Sequence, residues 1–248
     1  MFTKMKTILS EQYKDIYSIF FDDSLGASIE EIDTDNSFTI GTDDFSFSFW
    51  INMPNAGGQY IFGKTEDASD RWYLKTQSND DLKFFSKIGG SAKINATSSN
   101  NILSDDTWAH IIVTANRDGN MVFYKDGAAF GSAADISGSE TDNFDVVGDF
   151  NIGHAYVSAD VEGSFYMSDF AIYEKIALSA DQVTAIYNEG KPYNHKKGVA
   201  ADNLKLWYRM GDGLEQGQEF TIYDMSGNNN HGTMVNMEIG DITLENPH

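Results

Sequence analysis

Residues 103–127 (LSDDTWAHIIVTANRDGNMVFYKDG) contain the feature that most limits how this chain can fold, a β-hairpin. The run 110–114 is apolar and rich in β-branched residues, as strands are, and an apolar return strand follows it. The turn between the two ends in Asp118-Gly119, a pair that tolerates the positive φ of tight hairpin turns. Trp108 precedes the first strand, where one large aromatic ring can close the end of a β core. The rest of the chain is expected to pair with this hairpin or to pack over it.

Short strands are predicted along most of the chain. In residues 45–51 (FSFSFWI) the phenylalanines face one side and the serines and Trp50 the other, a pattern typical of a half-buried antiparallel strand. Ser179 and Gln182 form a capping box that begins one short helix, which ends at Gly190. Turn residues separate further apolar runs at 18–21, 27–32, 38–40, 60–62, 71–75, 82–85, 92–94, 150–153 and 163–173. This spacing predicts an all-β, two-sheet antiparallel jelly-roll sandwich with one short helix.

Composition excludes several classes of function. The 248 residues include 38 acidic and 17 basic side chains, a net charge of −21, so neither nucleic acid nor an anionic membrane surface is an expected partner. The chain has no cysteine and therefore no disulfide, thiolate zinc site or cysteine nucleophile. No apolar run is long enough for a membrane span, so membrane insertion is not expected, and the N-terminus lacks the pattern of a signal peptide.

Eight segments, in order, resemble the laminin-G-like and concanavalin-A-like jelly-roll domains of bacterial and phage surface proteins. Two of the most specific are "LSDDTWAHIIVT" at 103–114, which is similar to the family's Trp-His-His strand, and "ALSADQVTAIYNEG" at 177–190. The segments lie at 20–23, 45–51, 61–64, 103–114, 123–127, 151–153, 165–173 and 178–190. The resemblance implies a lectin-like sandwich across most of the chain.

The C-terminal segment departs from the order of that family. Residues 204–213 and 222–233 resemble a piece that the family usually has first, before residues equivalent to 20–23. A second domain is the alternative reading, but about 58 residues are too few to bury a core of their own. We therefore predict an N-terminal arm (1–16) and one jelly-roll domain (17–248). That domain consists of a main body (17–190), a linker (191–203) and circularly permuted terminal strands (204–248).

A calcium site is predicted in the loop that follows Tyr223. Asp224, Asn228 and Asn230 place oxygen atoms at short spacing around Gly227, which suits a hard cation. The resemblance implies one structural calcium ion near this loop, with Asp169 and Asp23 as further ligands. The competing interpretation is a turn whose Asp and Asn side chains bond their own backbone.

Two further groups could carry chemistry. Aromatic rings at Trp72, Tyr73, Tyr156 and Tyr166 could stack on sugars, although core packing is an alternative for each of them. Residues 31–35 (EIDTD) resemble the Glu-x-Asp-x-Glu motif of one glucanase family, in which two carboxylates on one strand face act as acid and nucleophile. The last carboxylate here belongs to the shorter Asp35, and the segment falls in a turn of the jelly-roll match. No catalytic residues are therefore expected.

The favoured function is a non-enzymatic structural or binding module, a capsid-surface or tail protein of a tailed phage with possible adhesion to glycans. The C-terminal segment resembles pieces of phage tail and capsid-surface proteins, and assembly in the host cytoplasm needs no signal peptide. Expected partners are other virion proteins, cell-surface glycans and further copies of this chain. A free carbohydrate-binding lectin, extracellular or at the cell surface, and a glycoside hydrolase are the alternatives.

Overall fold

The structure is a computed structural model, and it describes residues 15, 17–22, 31–34, 39–154, 163–211 and 221–248, with 31–34 described as backbone only. The described residues form seventeen strands and one α-helix, α1 (Ala180–Tyr187). None of their helices is long and apolar enough to cross a membrane. In chain order the strands are β1 (Ser18–Phe21), β2 (Glu31–Thr34), β3 (Phe45–Asn52), β4 (Tyr60–Thr65), β5 (Arg71–Thr76), β6 (Leu82–Ile88), β7 (Ser91–Thr97), β8 (Ala109–Ala115), β9 (Asn120–Lys125), β10 (Ala128–Ala129), β11 (Ala134–Asp135), β12 (Phe150–Ile152), β13 (Phe165–Glu174), β14 (Leu204–Tyr208), β15 (Thr221–Ile222), β16 (Gly232–Val235) and β17 (Ile242–Thr243).

The strands form two antiparallel sheets. In sheet A the order is β10-β9-β8-β3-β13-β1-β17, with β11 also paired to β9 and β14 also paired to β13. In sheet B the order is β15-β16-β2-β12-β4-β5-β6-β7. The inner faces of both sheets supply one apolar core, in which rings such as Phe47 and Phe62 lie edge to face with centroids 4.9 Å apart. The predicted all-β, two-sheet sandwich with one short helix is confirmed.

The hairpin of residues 103–127 forms as β8 and β9, and β8 is an inner strand of sheet A between β3 and β9. The turn between β8 and β9 differs from the prediction, because neither Asp118 nor Gly119 has a positive φ. Positive φ occurs instead after β9, at Asp126 (49°) and Gly127 (80°). Within the turn between β8 and β9 Arg117 is buried, and its guanidinium donates to the carbonyls of Ser139 and Asp142. The turn is thus fixed by a side chain that reaches a distant loop.

Strand β3 is buried along its whole length, whereas a half-buried strand was predicted. The three phenylalanines face the core as expected. The opposite face is covered by α1 and by residues 191–203, which form a second apolar cluster on the outer face of sheet A. Ser46 is satisfied there, since its hydroxyl donates to the carbonyl of Ile176 and accepts from the backbone N–H of Leu178. Helix α1 begins at the predicted capping box of Ser179 and Gln182.

The C-terminal strands join the sheets of the main body. Strand β14 pairs with β13, β16 pairs with β2, and β17 pairs with β1. The terminal segment therefore contributes strands to both layers of the sandwich, and the predicted domain division stays a prediction. Circular permutation relative to relatives stays a prediction.

Two strand predictions near the N-terminus need correction. The strand predicted at 27–32 is observed at Glu31–Thr34, and residues 39 and 40 are not in a strand, although one was predicted at 38–40. The glucanase-like residues Glu31 and Asp33 therefore lie in a strand rather than in a turn. Pairing with a sheet neighbour on each side, β12 and β16, explains the difference, because both partners come from far along the chain.

Candidate functional site

Strands β5 and β6 present the same side-chain pattern on the outer face of sheet B. Alternation directs Trp72 and Leu74 of β5 into the core, so Arg71, Tyr73 and Lys75 face outward. Strand β6 repeats this order in reverse. The pairing register sets three like pairs side by side, Arg71 with Lys87, Tyr73 with Phe85, and Lys75 with Lys83.

The aromatic side chains form a row across three strands. The ring centroids of Tyr73 and Phe85 lie 5.3 Å apart in a stacked arrangement, and those of Tyr60 and Tyr73 lie 4.9 Å apart, edge to face. Tyr60 and Phe85 are half-buried, whereas Tyr73 between them is 8% exposed. Burial, together with the neighbouring Tyr60 hydroxyl, raises the pKa of Tyr73 to about 12. The Tyr73 hydroxyl is therefore neutral at any physiological pH.

Positive charges lie on both sides of Tyr73 and Phe85, with Lys75 and Lys83 on one side and Arg71 and Lys87 on the other. The Lys75 ammonium lies 5.2 Å from the ring centroid of Tyr60, and the Lys83 ammonium lies 5.6 Å from that of Phe85, both within cation–π range. Burial and the charge of Lys83 lower the pKa of Lys75. We call Tyr60, Arg71, Tyr73, Lys75, Lys83, Phe85 and Lys87 the basic–aromatic face.

The four cations of the basic–aromatic face have no ionic partner among the described carboxylates. Some other cations on the described surface are paired, as in Lys93 with Asp142 at 2.6 Å and Lys205 with Glu174 at 3.8 Å. Lys205 and Glu174 also line a polar cleft of about 460 Å³ near the start of β3. The basic–aromatic face is thus a patch of uncompensated positive charge on a chain whose net charge is −21.

The structure separates the four residues predicted to bind a ligand. Tyr73 belongs to the basic–aromatic face. Trp72, the next residue in the chain, is fully buried and stacks against Phe47 and Phe84, so a sugar in solution cannot reach its ring. Tyr166 lies on the outer face of the other sheet, with its ring 4.5 Å from that of Phe20. Tyr156 is outside the described residues.

Trp108, expected to close the end of the core, lies elsewhere. It is half-buried, it is not part of the inter-sheet cluster, and its ring centroid is 6.4 Å from that of Tyr166. Alternation explains this, because the next residue, Ala109, points into the core and turns Trp108 to the outer face of sheet A. Its indole nitrogen is buried without a hydrogen-bond partner.

The predicted metal ligands in the C-terminal loop are engaged in hydrogen bonds. Oδ1 of Asp224 accepts from the backbone N–H groups of Trp207 (3.0 Å) and Ser226 (2.9 Å). Oδ2 accepts from the Ser226 hydroxyl (2.7 Å) and the Asn230 N–H (3.0 Å). The amides of Asn228 and Asn230 both donate to the carbonyl of Lys205. The loop therefore clamps the backbone of β14.

Asp169 lies in a different network. Asp169 lies at a register shift in β13 and has a φ of 50°. Its buried carboxylate accepts a hydrogen bond from the indole N–H of Trp207 (2.6 Å) and lies 3.1 Å from Nε2 of His195. Nδ1 of His195 is 2.6 Å from the Tyr173 hydroxyl. Although burial opposes ionisation, the charge and hydrogen bond of His195 and the Trp207 bond lower the pKa of Asp169.

Calcium binding stays a prediction. Asp23 is outside the described residues, and Asp169 and Asp224 contact different parts of Trp207, its indole and its backbone. Within the part of the chain that the structure describes, no three His, Asp or Glu side chains are grouped as metal ligands. Of the glucanase-like motif, the backbone of Glu31 and Asp33 is described and Asp35 is not.

Comparison with known proteins identifies the family. A laminin G-type family model, described as the concanavalin A-like lectin/glucanases superfamily, matches residues 27–184, which is more than half of the chain. The chain belongs to the concanavalin A-like lectin/glucanases superfamily. The resemblance inferred from the eight sequence segments is confirmed. A search of curated protein sequences found no match.

Solved structures agree with the superfamily fold. A Bacteroides ovatus protein, provisionally described as carbohydrate binding, is 19% identical with a TM-score of 0.65 over 93% of this chain and 60% of its own. The heptameric SAP-like pentraxin of Limulus polyphemus is 15% identical with a TM-score of 0.57, over 90% of this chain and 97% of its own. At these identities the likeness shows the fold alone. The chain spans 60% of the length of the Bacteroides protein.

The sequence prediction missed six of the seven residues of the basic–aromatic face. A signal was present in this superfamily member, since "RWYLK" at 71–75 and "KFFSK" at 83–87 both read cation, aromatic, cation at every second position. What the sequence alone does not show is the register that sets like residues opposite each other.

Proposed function

We propose that this chain is a non-enzymatic, glycan-binding module whose binding surface is the basic–aromatic face. The observation that carries the proposal is the row of Tyr60, Tyr73 and Phe85 rings on an outer sheet face. The C–H face of a pyranose ring is apolar and flat, so it packs against an aromatic side chain, while the sugar hydroxyls remain free to bond polar groups at the rim.

The dimensions of the row support a polymer rather than a single sugar. Neighbouring strands are about 4.8 Å apart, so a row over β4, β5 and β6 extends roughly 10 Å across the sheet before side chains are counted. Tyr60 and Phe85 are half-buried, so part of each ring is accessible to an extended chain. The lectin-like fold of the superfamily is compatible with this use but does not locate the site.

A glycan array tests the proposal. We expect the intact chain to bind a subset of glycans, and Phe85→Ala and Tyr60→Ala each to weaken that binding with the melting temperature measured alongside. Tyr166→Ala, a comparable truncation on the outer face of sheet A, is the matched control and should leave binding intact. Absence of binding to every glycan would contradict the proposal, and loss of binding only in the Tyr166 variant would place the site on the other sheet.

The absence of catalysis is part of the proposal. The superfamily includes glucanases, and Glu31 and Asp33 belong to a strand, as the acidic pair of such an enzyme would. We expect no hydrolysis of β-glucans. Release of reducing sugar that disappears in Glu31→Gln would contradict this expectation.

The biological setting we propose is the surface of a virion, in the capsid or the tail. Support comes from the resemblance of residues 204–213 and 222–233 to segments of phage surface proteins, and symmetric homo-oligomers would be expected there. A free lectin at a cell surface is the alternative setting. Mass spectrometry of purified particles tests this, because a virion component is present in fixed stoichiometry and a free lectin is not.

A further inference from the structure

We infer that the glycan bound by the basic–aromatic face is an acidic polysaccharide, whose carboxylate or sulfate groups bind the two cation pairs on either side of the aromatic row. This inference rests on the proposed function and specifies the ligand class of the same surface.

The first argument comes from the pairing of like charges. Arg71 is directly opposite Lys87, and Lys75 is directly opposite Lys83, in the register of β5 and β6. Like charges at opposite positions of an antiparallel pair destabilise a sheet. The chain contains 38 acidic residues, yet no described carboxylate pairs with any of these four side chains. An anion bound between the members of each pair would remove the repulsion, so ligand binding and relief of the repulsion act together.

The second argument is geometric. Arg71 and Lys75 are four residues apart on β5, which places their Cα atoms about 13 Å apart, with Tyr73 midway. On β5 and β6 one cation pair lies on each side of Tyr73 and Phe85, and the third ring of the row, Tyr60 of β4, is opposite Lys75. A linear polymer that follows the row therefore has a positive pair along each edge. Acidic groups on the rims of its sugar rings can reach these pairs while the ring faces pack on Tyr60 and Phe85.

The third argument distinguishes a polysaccharide from single-stranded nucleic acid, which also combines stacking with charge. Tyr60 and Phe85 are half-buried and Tyr73 is 8% exposed, so the rings offer a shallow surface rather than free faces between which bases insert.

Matched polymers test the inference on the full chain. Polygalacturonate and its methyl ester share one backbone and differ in the carboxylate, and dextran sulfate and dextran differ in the sulfate. We expect binding to at least one acidic polymer, roughly tenfold or more tighter than to its neutral form. The double variant Lys75→Gln/Lys83→Gln should lose most of that preference without losing the residual binding to neutral polymer. Lys196→Gln/Lys197→Gln removes the same charge from the exposed linker on the other sheet and should behave as the parent.

The outcomes separate the inference from the proposed function. Equal binding of acidic and neutral polymers would overturn the inference and leave the glycan-binding proposal standing. No binding to either acidic polymer would overturn the inference, and only a blank glycan array in addition would overturn the proposed function. Oligothymidylate that binds more tightly than both acidic polymers would assign the face to nucleic acid. An unchanged preference in the Lys75/Lys83 variant would show that other cations are responsible.

Discussion

The indole N–H of Trp207 donates a 2.6 Å hydrogen bond to the buried carboxylate of Asp169. The bond joins the C-terminal strand β14 to the irregular middle of β13, where Asp169 adopts a positive φ. The second carboxylate oxygen contacts His195 of the linker, so three separate segments meet at one charge. Because a buried carboxylate is costly without donors, this network makes the terminal segment an integral part of sheet A.

Removal of the indole donor tests that role. We expect Trp207→Phe to lower the free energy of unfolding by about 2 kcal/mol, since hydrogen bonds to charged groups contribute about 1.5–3 kcal/mol. Trp108→Phe is the matched control, because its indole nitrogen has no partner, and it should cost less than about 1 kcal/mol. Urea titrations of both variants measure the free energy of unfolding. Equal decreases in the two variants would show that the hydrogen bond to Asp169 does not contribute to stability.

The folded chain should become less stable as the pH decreases, because of His110. This imidazole is buried on the outer face of sheet A, 3.1 Å from the Ser48 hydroxyl, and burial lowers its pKa from 6.5 to about 3. Between these pH values the unfolded chain binds a proton there and the folded chain does not, so unfolding becomes easier as pH decreases. At about 1.4 kcal/mol per pKa unit the loss reaches at most roughly 5 kcal/mol.

His110→Gln should remove this part of the pH dependence, since a neutral amide can still bond Ser48. Denaturant unfolding between about pH 8 and pH 4 measures it. A variant whose stability falls as steeply as that of the parent would show that other groups, such as the buried His154, account for the effect.

The Asp224 loop offers a test of calcium that does not depend on locating the ion. Asp224→Ala leaves four hydrogen-bond donors without their acceptor. We expect it to lower the free energy of unfolding by about 3 kcal/mol when measured in EDTA. Calorimetric melts with and without calcium complete the test, because an ion bound to the folded chain must raise its stability. If Asp224→Ala loses more stability in calcium than in EDTA, the ion binds at this loop. If the melting temperature of the parent is the same with and without calcium, the calcium prediction has no support.

Charge reversal on the basic–aromatic face should separate stability from binding. Lys87→Glu turns a repulsive pair with Arg71 into an attractive one, and we expect a gain of about 0.5 kcal/mol. The same variant should bind acidic polymers more weakly, and Lys87→Gln should show smaller changes in both quantities. Unfolding titrations and binding to polygalacturonate measure the two effects. A variant that is more stable but binds equally well would remove Lys87 from the binding surface.

The sequence predicted the fold well where local signals were sufficient. The two strands of the hairpin, the Phe45-to-Phe49 alternation and the Ser179 capping box all form as predicted, because each depends on residues close together in the chain. The burial of β3 on both faces was not predictable, since its second cover comes from α1 and the linker, more than a hundred residues away.

The candidate site was less accessible from the sequence. Trp72 and Tyr73 are adjacent in the chain and both could stack on a sugar. Which of them faces the core and which faces outward depends on which sheet face each side chain of β5 points to, and the sequence does not show this. Arg117 reads as an exposed turn residue, yet it is buried because a loop from 139–142 supplies carbonyl acceptors and Phe144 covers its guanidinium at 4.0 Å. Such long-range contacts leave no local pattern.

The unpaired cations of the basic–aromatic face have a consequence for how affinity responds to ionic strength. At about 0.01 M salt the Debye length is roughly 30 Å, so an approaching polyanion is repelled by the whole chain with its charge of −21. At about 0.15 M it is roughly 8 Å, so most of the distant negative charge is screened and the four nearby positive charges have more influence on the polymer. Affinity should therefore pass through a maximum at intermediate salinity before high salt weakens it. The chain would attach best in saline media and release its polymer in fresh water.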